Sequence, residues 1–262
     1  MALERSIETP SSLIAFGWRG AQPVVLKVIK HAGDEWLAGE LASAFDGHGV
    51  ARVYEWIDGG VLLERLDPGT ALVELTRSGR DDEASAILAG VMMAMVPARS
   101  VPACPTVQDW GSAFVRQASA ARSQMSAELL SPAAQLYAEL CATQRSPRLL
   151  HGDLHHYNVL HDRDRGWLAI DPKGVVGELE YEVGAALRNP NERPEYFADR
   201  AIVARRVDVF ASALGLDAER IVAWAFAQAV LSAIWDLEDG LPVGRDHPSL
   251  LLAEAIRPVV TR

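Results

Sequence analysis

The fold is decided by the stretch Leu149-Leu150-His151-Gly152-Asp153-Leu154-His155-His156-Tyr157-Asn158-Val159-Leu160, followed by Trp167-Leu168-Ala169-Ile170-Asp171-Pro172. Two short apolar runs flank a polar turn, and a third apolar run ends on an aspartate, a pattern typical of strands joined by turns. We therefore expect the carboxylates of Asp153 and Asp171 and the amide of Asn158 to lie where the chain leaves a strand. These three side chains would then offer oxygen ligands to a single site.

Phosphoryl transfer requires this set of side chains. One carboxylate orients and deprotonates the attacking hydroxyl, while an amide and a second carboxylate hold the Mg²⁺ that neutralises the nucleotide phosphates. We assign the catalytic role to Asp153 and the metal ligands to Asn158 and Asp171. Asp and Asn are common turn residues, so their spacing alone would indicate an ordinary loop, and it is the flanking strands, the second aspartate and the upstream Lys27 that favour a site.

The spacing of aspartate, four residues, asparagine, and an aspartate after an apolar strand resembles the kinase catalytic loop and metal-binding aspartate. The letters H-G-D-x-x-x-x-N and I-D-P resemble the aminoglycoside phosphotransferase branch of that fold. Residues 63–70 and 170–178 are similar to the streptomycin 6-kinase and hydroxyurea phosphotransferase family, and the similarity runs from about Ser11 to the C-terminal helices. The resemblance implies an α+β, bilobal protein-kinase-like fold with a small antiparallel sheet in the N-terminal lobe and a larger, mainly helical C-terminal lobe.

The same resemblance implies where the lobes divide. Residues 1–66 are expected to form a nucleotide-binding lobe that ends in a hinge, and residues 67–262 a helical lobe with the catalytic loop and the acceptor pocket. The hinge would present backbone groups of Glu64 and Leu66 to the base of ATP, or of GTP. We therefore expect ATP, with GTP as an alternative, and Mg²⁺ as cofactors.

The runs Leu13–Phe16 and Val24–Ile29 have the pattern of a β-hairpin. Lys27 lies among aliphatic residues of the second run, where the kinase strand lysine grips the α- and β-phosphates. The helical segment 34–45 would supply the glutamate that aims this lysine, with Glu35 favoured and Glu40 the alternative.

The turn before this hairpin, Thr9-Pro10-Ser11-Ser12, stands where protein kinases have a glycine-rich phosphate loop. The resembled family has a serine-bearing turn here. Backbone amides and the hydroxyl of Ser11 or Ser12 are therefore expected to cap phosphate oxygens.

Further strands and helices follow from the pattern of apolar residues. Residues 50–56 and 60–64 around Asp58-Gly59 predict a second hairpin. Apolar residues at three- and four-residue intervals predict helices, with Pro132 in the first turn of the fourth. The predicted helices are 71–75, 83–96, 110–121, 133–143, 200–214, 217–235 and 250–256.

In the resembled family the helical lobe builds the acceptor pocket. Trp235, followed by Asp236 and Glu238, sets an aromatic surface beside carboxylates and suits an amine- or guanidine-bearing sugar. The alternative is an amphipathic helix end with solvated acids. Glu178, which ends the family-like text D-P-K-G-V-V-G-E, is assigned as a fourth substrate contact.

Two neighbouring features leave alternatives open. Lys173 would add a cation beside the phosphates or only screen the carboxylates. Residues 178, 180 and 182 are glutamates that alternate in the strand period, and the resembled family more often has Asp near the last of these, so Glu182 is not counted as a site residue.

Four of the seven histidines lie in or beside the catalytic stretch. A zinc site is disfavoured because no cysteine or glutamate completes a recognised ligand spacing. We expect the ring of His151 to lock the loop by hydrogen bonding to backbone, and His155 or His156 to face substrate or solvent.

Composition limits the other function classes. A 262-residue chain with 49% hydrophobic residues and a mean hydropathy of +0.05 is typical of a globular protein. A formal net charge of −10 disfavours nucleic-acid binding and suits a cationic ligand. The two cysteines show no metal or redox spacing, no signal peptide is visible, and residues 221–235 have the pattern of a buried helix rather than a membrane span. We expect a cytoplasmic protein, monomeric or weakly dimeric.

Together these patterns predict an ATP-dependent phosphotransferase that modifies a hydroxyl of a small cationic acceptor, streptomycin-like or hydroxyurea-like. The alternatives are a catalytically silent nucleotide-binding module of the same fold and a kinase for another small alcohol such as choline or homoserine. A protein kinase is disfavoured because no activation segment ending in A-P-E follows Asp171.

Overall fold

The computed structural model describes residues 2–101, 103–119 and 125–260, without the side chains of residues 34, 35 and 258–260. The strands are β1 (Ala2–Glu8), β2 (Ser12–Arg19), β3 (Gln22–Ile29), β4 (Val53–Ile57), β5 (Gly60–Glu64), β6 (Pro68–Ala71), β7 (Arg148–Leu150), β8 (Val159–Asp162), β9 (Gly166–Ala169) and β10 (Val175–Gly177). The helices are α1 (Ala38–Ser43), α2 (Val73–Arg77), α3 (Asp81–Ala94), α4 (Val107–Trp110), α5 (Ser112–Ser119), α6 (Ala127–Ala142), α7 (Leu179–Leu187), α8 (Glu195–Ala198), α9 (Arg200–Leu214), α10 (Ala218–Glu238) and α11 (Pro248–Val260), and a 3-10 helix, Asp34–Leu37, precedes α1.

The first five strands form an antiparallel sheet in the order β1-β2-β3-β5-β4. Both predicted hairpins are confirmed, β2–β3 and β4–β5, the second closing at Asp58-Gly59. In β3, Lys27 pairs across to Ile14 of β2 and Val61 of β5, so it lies on the middle strand of the sheet. β1 was not predicted, because all seven of its residues are exposed and the sequence therefore lacks the apolar alternation of a half-buried strand.

Helix α10 forms the centre of the C-terminal part. Eleven of its residues are buried, and α6, α7 and α11 pack against it. Its length and hydropathy would also suit a membrane span, but 61% of its most apolar window is buried inside the protein. The prediction of a buried helix over 221–235 is confirmed, and the same core extends to Leu41 and Phe45 at the edge of the N-terminal sheet.

Two small sheets position the catalytic stretch. β7 pairs with β10, and β8 pairs with both β6 and β9. The chain from His151 to Asn158, the predicted catalytic loop, connects β7 to β8, and Asp171 follows β9 by two residues. The expectation that these side chains lie at strand ends is therefore confirmed.

Further differences from the predicted elements lie in the C-terminal part of the chain. α6 begins five residues before Pro132, because Ser126 caps its N-terminus by accepting a hydrogen bond from the Glu128 N–H, and the proline lies inside the helix. The glutamates at 178–182 belong to the start of α7 rather than to a strand-like segment. The predicted helix 110–121 corresponds to α5, its first residue is the last of α4, and its last two residues lie outside the described part of the chain.

Candidate active site

Hydrogen bonds draw the three predicted oxygen ligands together. The Asn158 amide nitrogen donates to the backbone carbonyl of Asp153 at 3.0 Å, and the Ile170 N–H donates to the Asn158 carbonyl at 2.8 Å. These bonds place the residue before Asp171 against the end of the catalytic loop. Among the described residues no donor reaches Oδ1 of Asn158 or Oδ2 of Asp171, so both oxygens remain available to a cation.

Lys27 reaches this cluster from the N-terminal sheet. Its buried ammonium forms an ion pair with Oδ1 of Asp171. Asp171 has a φ of +62°, which is unusual for a residue with a side chain and is typical of functional turns. The sheet and the catalytic stretch therefore face each other across a crevice.

A cavity of about 270 Å³ fills that crevice. Its walls are mostly apolar and come from β2, β3, β5 and the chain around β8 and β9, with Lys27 and Asp171 among the polar lining residues. Leu66 lies in its lining, and within the described residues neither the N–H nor the C=O of Leu66 has a protein hydrogen-bond partner. An apolar slot with an open backbone donor and acceptor at its edge can hold a planar heterocycle.

The Glu64 side chain has a different role from the backbone contact predicted for it. Its carboxylate accepts hydrogen bonds from the Arg52 N–H at 2.7 Å and from the guanidinium of Arg165. Arg165 also donates to the Gly47 carbonyl. Arg165 therefore ties the end of β5 to the β8–β9 hairpin beside the cavity.

The other predicted nucleotide contacts are placed as follows. Ser12 is buried, and its hydroxyl lies 2.9 Å from that of Thr9, so this side chain is occupied within its own turn. Ser11 is exposed, and neither serine lines the cavity. Glu40 lies 3.9 Å from Arg99, and the side chain of Glu35 lies outside the described residues, so its pairing with Lys27 stays a prediction.

Asp153 is surrounded by positive charge. Lys173 lies 3.1 Å from Oδ2, Arg188 3.5 Å from Oδ1, and the His155 ring 3.7 Å from Oδ2. Burial alone would raise the pKa of the Asp153 carboxyl, but His155, Lys173 and Arg188 outweigh it and hold that pKa below its ordinary value. Burial lowers the pKa of His155 to about 4, so at neutral pH the charge comes from Lys173 and Arg188.

Two buried side chains, those of Glu182 and His151, fix the conformation of the catalytic loop. The Glu182 carboxylate accepts hydrogen bonds from the N–H groups of His151, Gly152 and Leu154 at 2.7 to 3.3 Å. The His151 ring lies 2.9 Å from the Ile170 carbonyl and accepts from the Asp153 N–H at 3.2 Å, so the expectation that His151 locks the loop is confirmed. Among the described residues no group of three or more His, Cys, Asp or Glu side chains is arranged to hold a metal ion.

Sequence reasoning missed Glu182 and Arg188. Burial raises the pKa of Glu182, although its three backbone donors favour the charged form. Arg188 donates to the buried side chain of Gln228 at 2.6 Å as well as facing Asp153. Ionisable residues at the ends of the apolar run Val183–Leu187 were the available signal, because such residues are rarely buried without a partner.

The assignment of Glu178 to the substrate is wrong. Its side chain is fully buried, and it accepts hydrogen bonds from Arg220, from the indole of Trp224 and from the Arg145 N–H. With its lone pairs filled by the protein, this carboxylate has no route to a ligand. It joins β10 and the start of α7 to α10.

The three remaining predicted acceptor contacts lie together at the C-terminal end of α10. Trp235 packs edge-on against Trp110 with ring centroids 5.3 Å apart, and a Cβ on Gly152 would lie 2.8 Å from the Trp110 ring. The aromatic pair therefore adjoins the catalytic loop. Asp236 pairs with His247 at 2.9 Å, and Glu238 forms a two-pronged pair with Arg116.

Comparison with known proteins places the chain among resistance kinases. A sequence model described as aminoglycoside/hydroxyurea antibiotic resistance kinase matches residues 5–240. A streptomycin 3''-kinase from Klebsiella pneumoniae is 35% identical over 240 residues, which cover 89% of this chain and 87% of that enzyme. A streptomycin 6-kinase from Streptomyces griseus is 35% identical over 208 residues, covering 76% and 66%. A hydroxyurea phosphotransferase from Kitasatospora aureofaciens is 34% identical over 216 residues, covering 79% and 61%, so the chain spans about two thirds or less of these last two relatives.

Solved structures show the fold. A thermostable mutant of the aminoglycoside phosphotransferase APH(4)-Ia, in complex with AMP-PNP and hygromycin B, matches with a TM-score of 0.65 at 18% identity, over 99% of this chain and 94% of that one. Choline kinase LicA from Streptococcus pneumoniae matches with a TM-score of 0.64 at 12% identity, over 100% and 95%. The predicted α+β, bilobal kinase-like fold is confirmed. By the match over residues 5–240 and by 35% identity across most of its length, the chain belongs to the aminoglycoside/hydroxyurea antibiotic resistance kinase family of phosphotransferases.

Proposed function

We propose that the chain transfers the γ-phosphoryl group of ATP, with GTP as an alternative donor, to a hydroxyl of a small cationic acceptor of the streptomycin or hydroxyurea type. The observation that carries this proposal is the ion pair between the buried Lys27 and the partly exposed Asp171 across the crevice, beside the hydrogen-bonded pair Asp153 and Asn158. A cation and a carboxylate in the wall of an apolar slot, with a second carboxylate and an amide on the adjoining loop, are the components of a phosphoryl-transfer site.

In this proposal, Lys27 holds the α- and β-phosphates, and Leu66 contacts the base through its backbone. Oδ1 of Asn158 and Oδ2 of Asp171 fit a Mg²⁺ ion, because both are hard oxygen ligands that accept no hydrogen bond from the described residues. A bound magnesium nucleotide supplies the phosphoryl group and neutralises its charge. In this turn a phosphate contact would come from Ser11, since the Ser12 hydroxyl lies 2.9 Å from that of Thr9 and the Ser12 N–H donates to the same Thr9 oxygen.

Asp153 orients the acceptor hydroxyl and takes its proton. Because neighbouring cations hold the pKa of Asp153 low, its carboxylate is a weak base, and most of its effect is to fix the direction of attack. Glu182 and His151 keep the loop in the conformation that presents this carboxylate.

The acceptor site would include Trp235, Asp236 and Glu238. Aromatic and acidic groups beside the catalytic loop suit a guanidine- or amine-bearing sugar, and the net charge of −10 favours its approach. The relatives differ in the group they modify, since two are named for different positions of streptomycin and one for hydroxyurea.

We also propose the wider setting of this activity. The chain would divide near Leu66 into a nucleotide-binding lobe, residues 1–66, and a helical lobe, residues 67–262, and would work in the cytoplasm as a monomer or weak dimer. Tight burial of α10 in the protein interior supports the globular rather than the membrane alternative.

The test is a nucleotide-consumption screen of purified protein against aminoglycosides, hydroxyurea and simple amino alcohols, with nucleotide affinity measured by calorimetry. We expect turnover with at least one aminoglycoside or with hydroxyurea, and we expect Asp153→Asn to reduce kcat at least a thousandfold while nucleotide affinity changes less than threefold. Nucleotide binding without turnover on any acceptor would favour the silent module. Turnover on an amino alcohol alone would assign another small-alcohol kinase.

A further inference from the structure

Lysine is rare in this chain. Of its 25 basic residues only three are lysine, Lys27, Lys30 and Lys173, and the remainder are arginine. Lys30 lies on the surface and pairs with Glu8, whereas Lys27 and Lys173 both end at the catalytic cluster. Lysine differs from arginine in being a compact point charge on a flexible stem, which suits a cation that changes partners.

Both oxygens of Asp153 are covered by cations. Oδ1 faces Arg188 at 3.5 Å, and Oδ2 faces Lys173 at 3.1 Å. A carboxylate that accepts a substrate hydroxyl needs one oxygen within hydrogen-bond reach of that hydroxyl. Each cation takes one of the lone pairs of its oxygen and crowds the approach to it, so withdrawal of one cation would open that oxygen fully to the acceptor.

Arg188 is the fixed cation of the two. Its side chain is 11% exposed and donates to Gln228 at 2.6 Å, and Gln228 in turn donates to the Tyr181 carbonyl. A planar guanidinium held by a buried amide loses this bond if it moves.

Lys173 is the movable cation. Its side chain is 46% exposed, and among the described residues its ammonium has no polar partner besides Asp153. Its backbone is anchored by the next residue, because the Gly174 N–H donates to the His151 carbonyl at 2.9 Å. Gly174 has a φ of +75°, and a Cβ there would lie 2.5 Å from the Leu41 side chain, so the chain is fixed while the lysine stem is free.

We propose that Lys173 covers the hydroxyl-accepting oxygen of Asp153 in the nucleotide-free protein and moves onto the terminal phosphate when a nucleoside triphosphate binds. This rests on the proposed phosphotransferase function. The move opens Oδ2 of Asp153 to the acceptor hydroxyl and places a cation on the phosphoryl group in transfer. In the reaction, the bond from the γ-phosphorus to the bridging oxygen breaks, the bond to the acceptor oxygen forms, the hydroxyl proton goes to Asp153, and Lys173 keeps all its protons.

The exchange favours the triphosphate for an electrostatic reason. A terminal phosphate carries more negative charge than a carboxylate and presents three oxygens, so it attracts an ammonium group more strongly. A nucleoside diphosphate has no phosphate at that position, and with it Lys173 stays on Asp153. Acceptor binding is thereby coupled to the triphosphate and not to the product nucleotide.

The scarcity of lysine allows a direct test by residue-resolved acetylation. Purified protein is treated with limiting N-hydroxysuccinimide acetate alone, with Mg·ADP or with Mg·AMP-PNP, and the modification of each lysine is measured by mass spectrometry. We expect AMP-PNP to slow acetylation of Lys173 at least fivefold relative to ADP, with Lys30 unchanged as the internal control. Equal labelling of Lys173 in the ADP and AMP-PNP samples would overturn the proposal.

Calorimetry with variants gives the second readout. Relative to wild type, Lys173→Ala should weaken AMP-PNP binding about tenfold, the typical worth of a charge-assisted contact, and leave ADP binding within twofold. Lys173→Arg should keep most of the AMP-PNP affinity, and Lys30→Ala all of it. Unchanged AMP-PNP affinity in Lys173→Ala refutes the role of Lys173 alone, whereas absence of nucleotide binding by the wild type refutes the proposed function itself.

Discussion

Glu182 accepts three backbone N–H groups of the catalytic loop from a buried position on α7. Glu182→Gln replaces one acceptor oxygen by an NH₂ group that faces N–H donors, and we expect it to cost about 1–3 kcal/mol of loop stability. The expected result is a ten- to hundredfold lower kcat with nucleotide affinity nearly unchanged. Glu180→Gln is the matched control, because Glu180 lies on the same helix and, within the described part of the chain, its carboxylate accepts no hydrogen bond from the loop.

His155 makes stability depend on pH. Burial lowers its pKa from 6.5 to about 4, so the folded protein holds this ring neutral. A depressed pKa contributes stability that is present above pH 6.5 and is lost as the pH falls towards 4. We expect the free energy of unfolding to fall by about 1–2 kcal/mol more between pH 7 and pH 5 in wild type than in His155→Gln, measured by urea denaturation. Parallel curves for the two proteins would contradict this.

At the scale of residues, candidate site residues could be predicted from the sequence where polar side chains stand next to, or interrupt, an apolar run. Asp153, Asn158 and Asp171 follow or precede apolar runs, and the charge of Lys27 interrupts one. Glu178 was misassigned and Glu182 overlooked for one physical reason. Whether each carboxylate faces a ligand or the interior depends on a segment distant along the chain, which is α10 for Glu178 and the loop after β7 for Glu182.

At the scale of elements, α7 and α10 approach closely at a glycine. A Cβ on Gly184 would lie 2.1 Å from Oε1 of Gln228, the atom that accepts from Arg188. Gly184→Ala should therefore displace Gln228, destabilise the fold by about 1–3 kcal/mol as overpacked cores do, and lower kcat by releasing Arg188.

The matched control for that substitution is Gly90→Ala on α3. No atom lies within 4 Å of a Cβ built on Gly90, so this change should stabilise the helix by about 0.5–1 kcal/mol through propensity alone. Urea denaturation and kcat of both variants make the comparison. Equal stabilisation by the two alanines would show that the α7–α10 contact is looser than described.

Glu178 ties α7 to α10 through Arg220 and Trp224. Glu178→Gln leaves the Arg220 charge, whose side chain is 11% exposed, unpaired. We expect a loss of about 3 kcal/mol or more of unfolding free energy, with the acceptor KM within twofold of wild type. The exposed carboxylate in Glu219→Gln, at the start of α10, should change stability by no more than about 0.5 kcal/mol. A large rise in acceptor KM without loss of stability would restore Glu178 to the substrate site.

The elements that the sequence predicted well are those with a complete local signal. The helix over 200–214 begins at the residue after Asp199, which caps it, and ends before Gly215 in the left-handed conformation. The start of α6 was misjudged because proline at the first turn is common, and only the Ser126 cap shows that the helix begins earlier. β1 is fully exposed, so only its pairing with β2 defines it.

At the scale of the whole molecule, Arg165 links the two halves around the cavity through Glu64 and the Gly47 carbonyl. Arg165→Ala should let the end of β5 shift relative to the β8–β9 hairpin, and we expect AMP-PNP affinity to fall about three- to tenfold, as is usual for loss of a charge-assisted bond that positions a site. Arg163→Ala is the control, because its pair with Asp67 is exposed on the same hairpin. Calorimetry measures the AMP-PNP affinity of both variants. Equal affinities would contradict a role of Arg165 in positioning β5.

The overall architecture was predictable because motif order along the chain matches the kinase arrangement, with the strand lysine first, then the catalytic loop, then the second aspartate. The acceptor side was less predictable. Asp236 pairs with His247 and Glu238 with Arg116, and the arginine comes from a distant segment of the chain. A ligand cation must therefore compete with protein cations there.

The burial of α10 has a consequence for biosynthesis. This 21-residue apolar segment is covered on one side by α11, which the ribosome completes only afterwards. A nascent chain halted before residue 248 would display a hydrophobic surface that membrane-insertion machinery and chaperones both recognise. We therefore expect truncation before α11 to cause mistargeting and aggregation in the cell rather than a modest loss of stability.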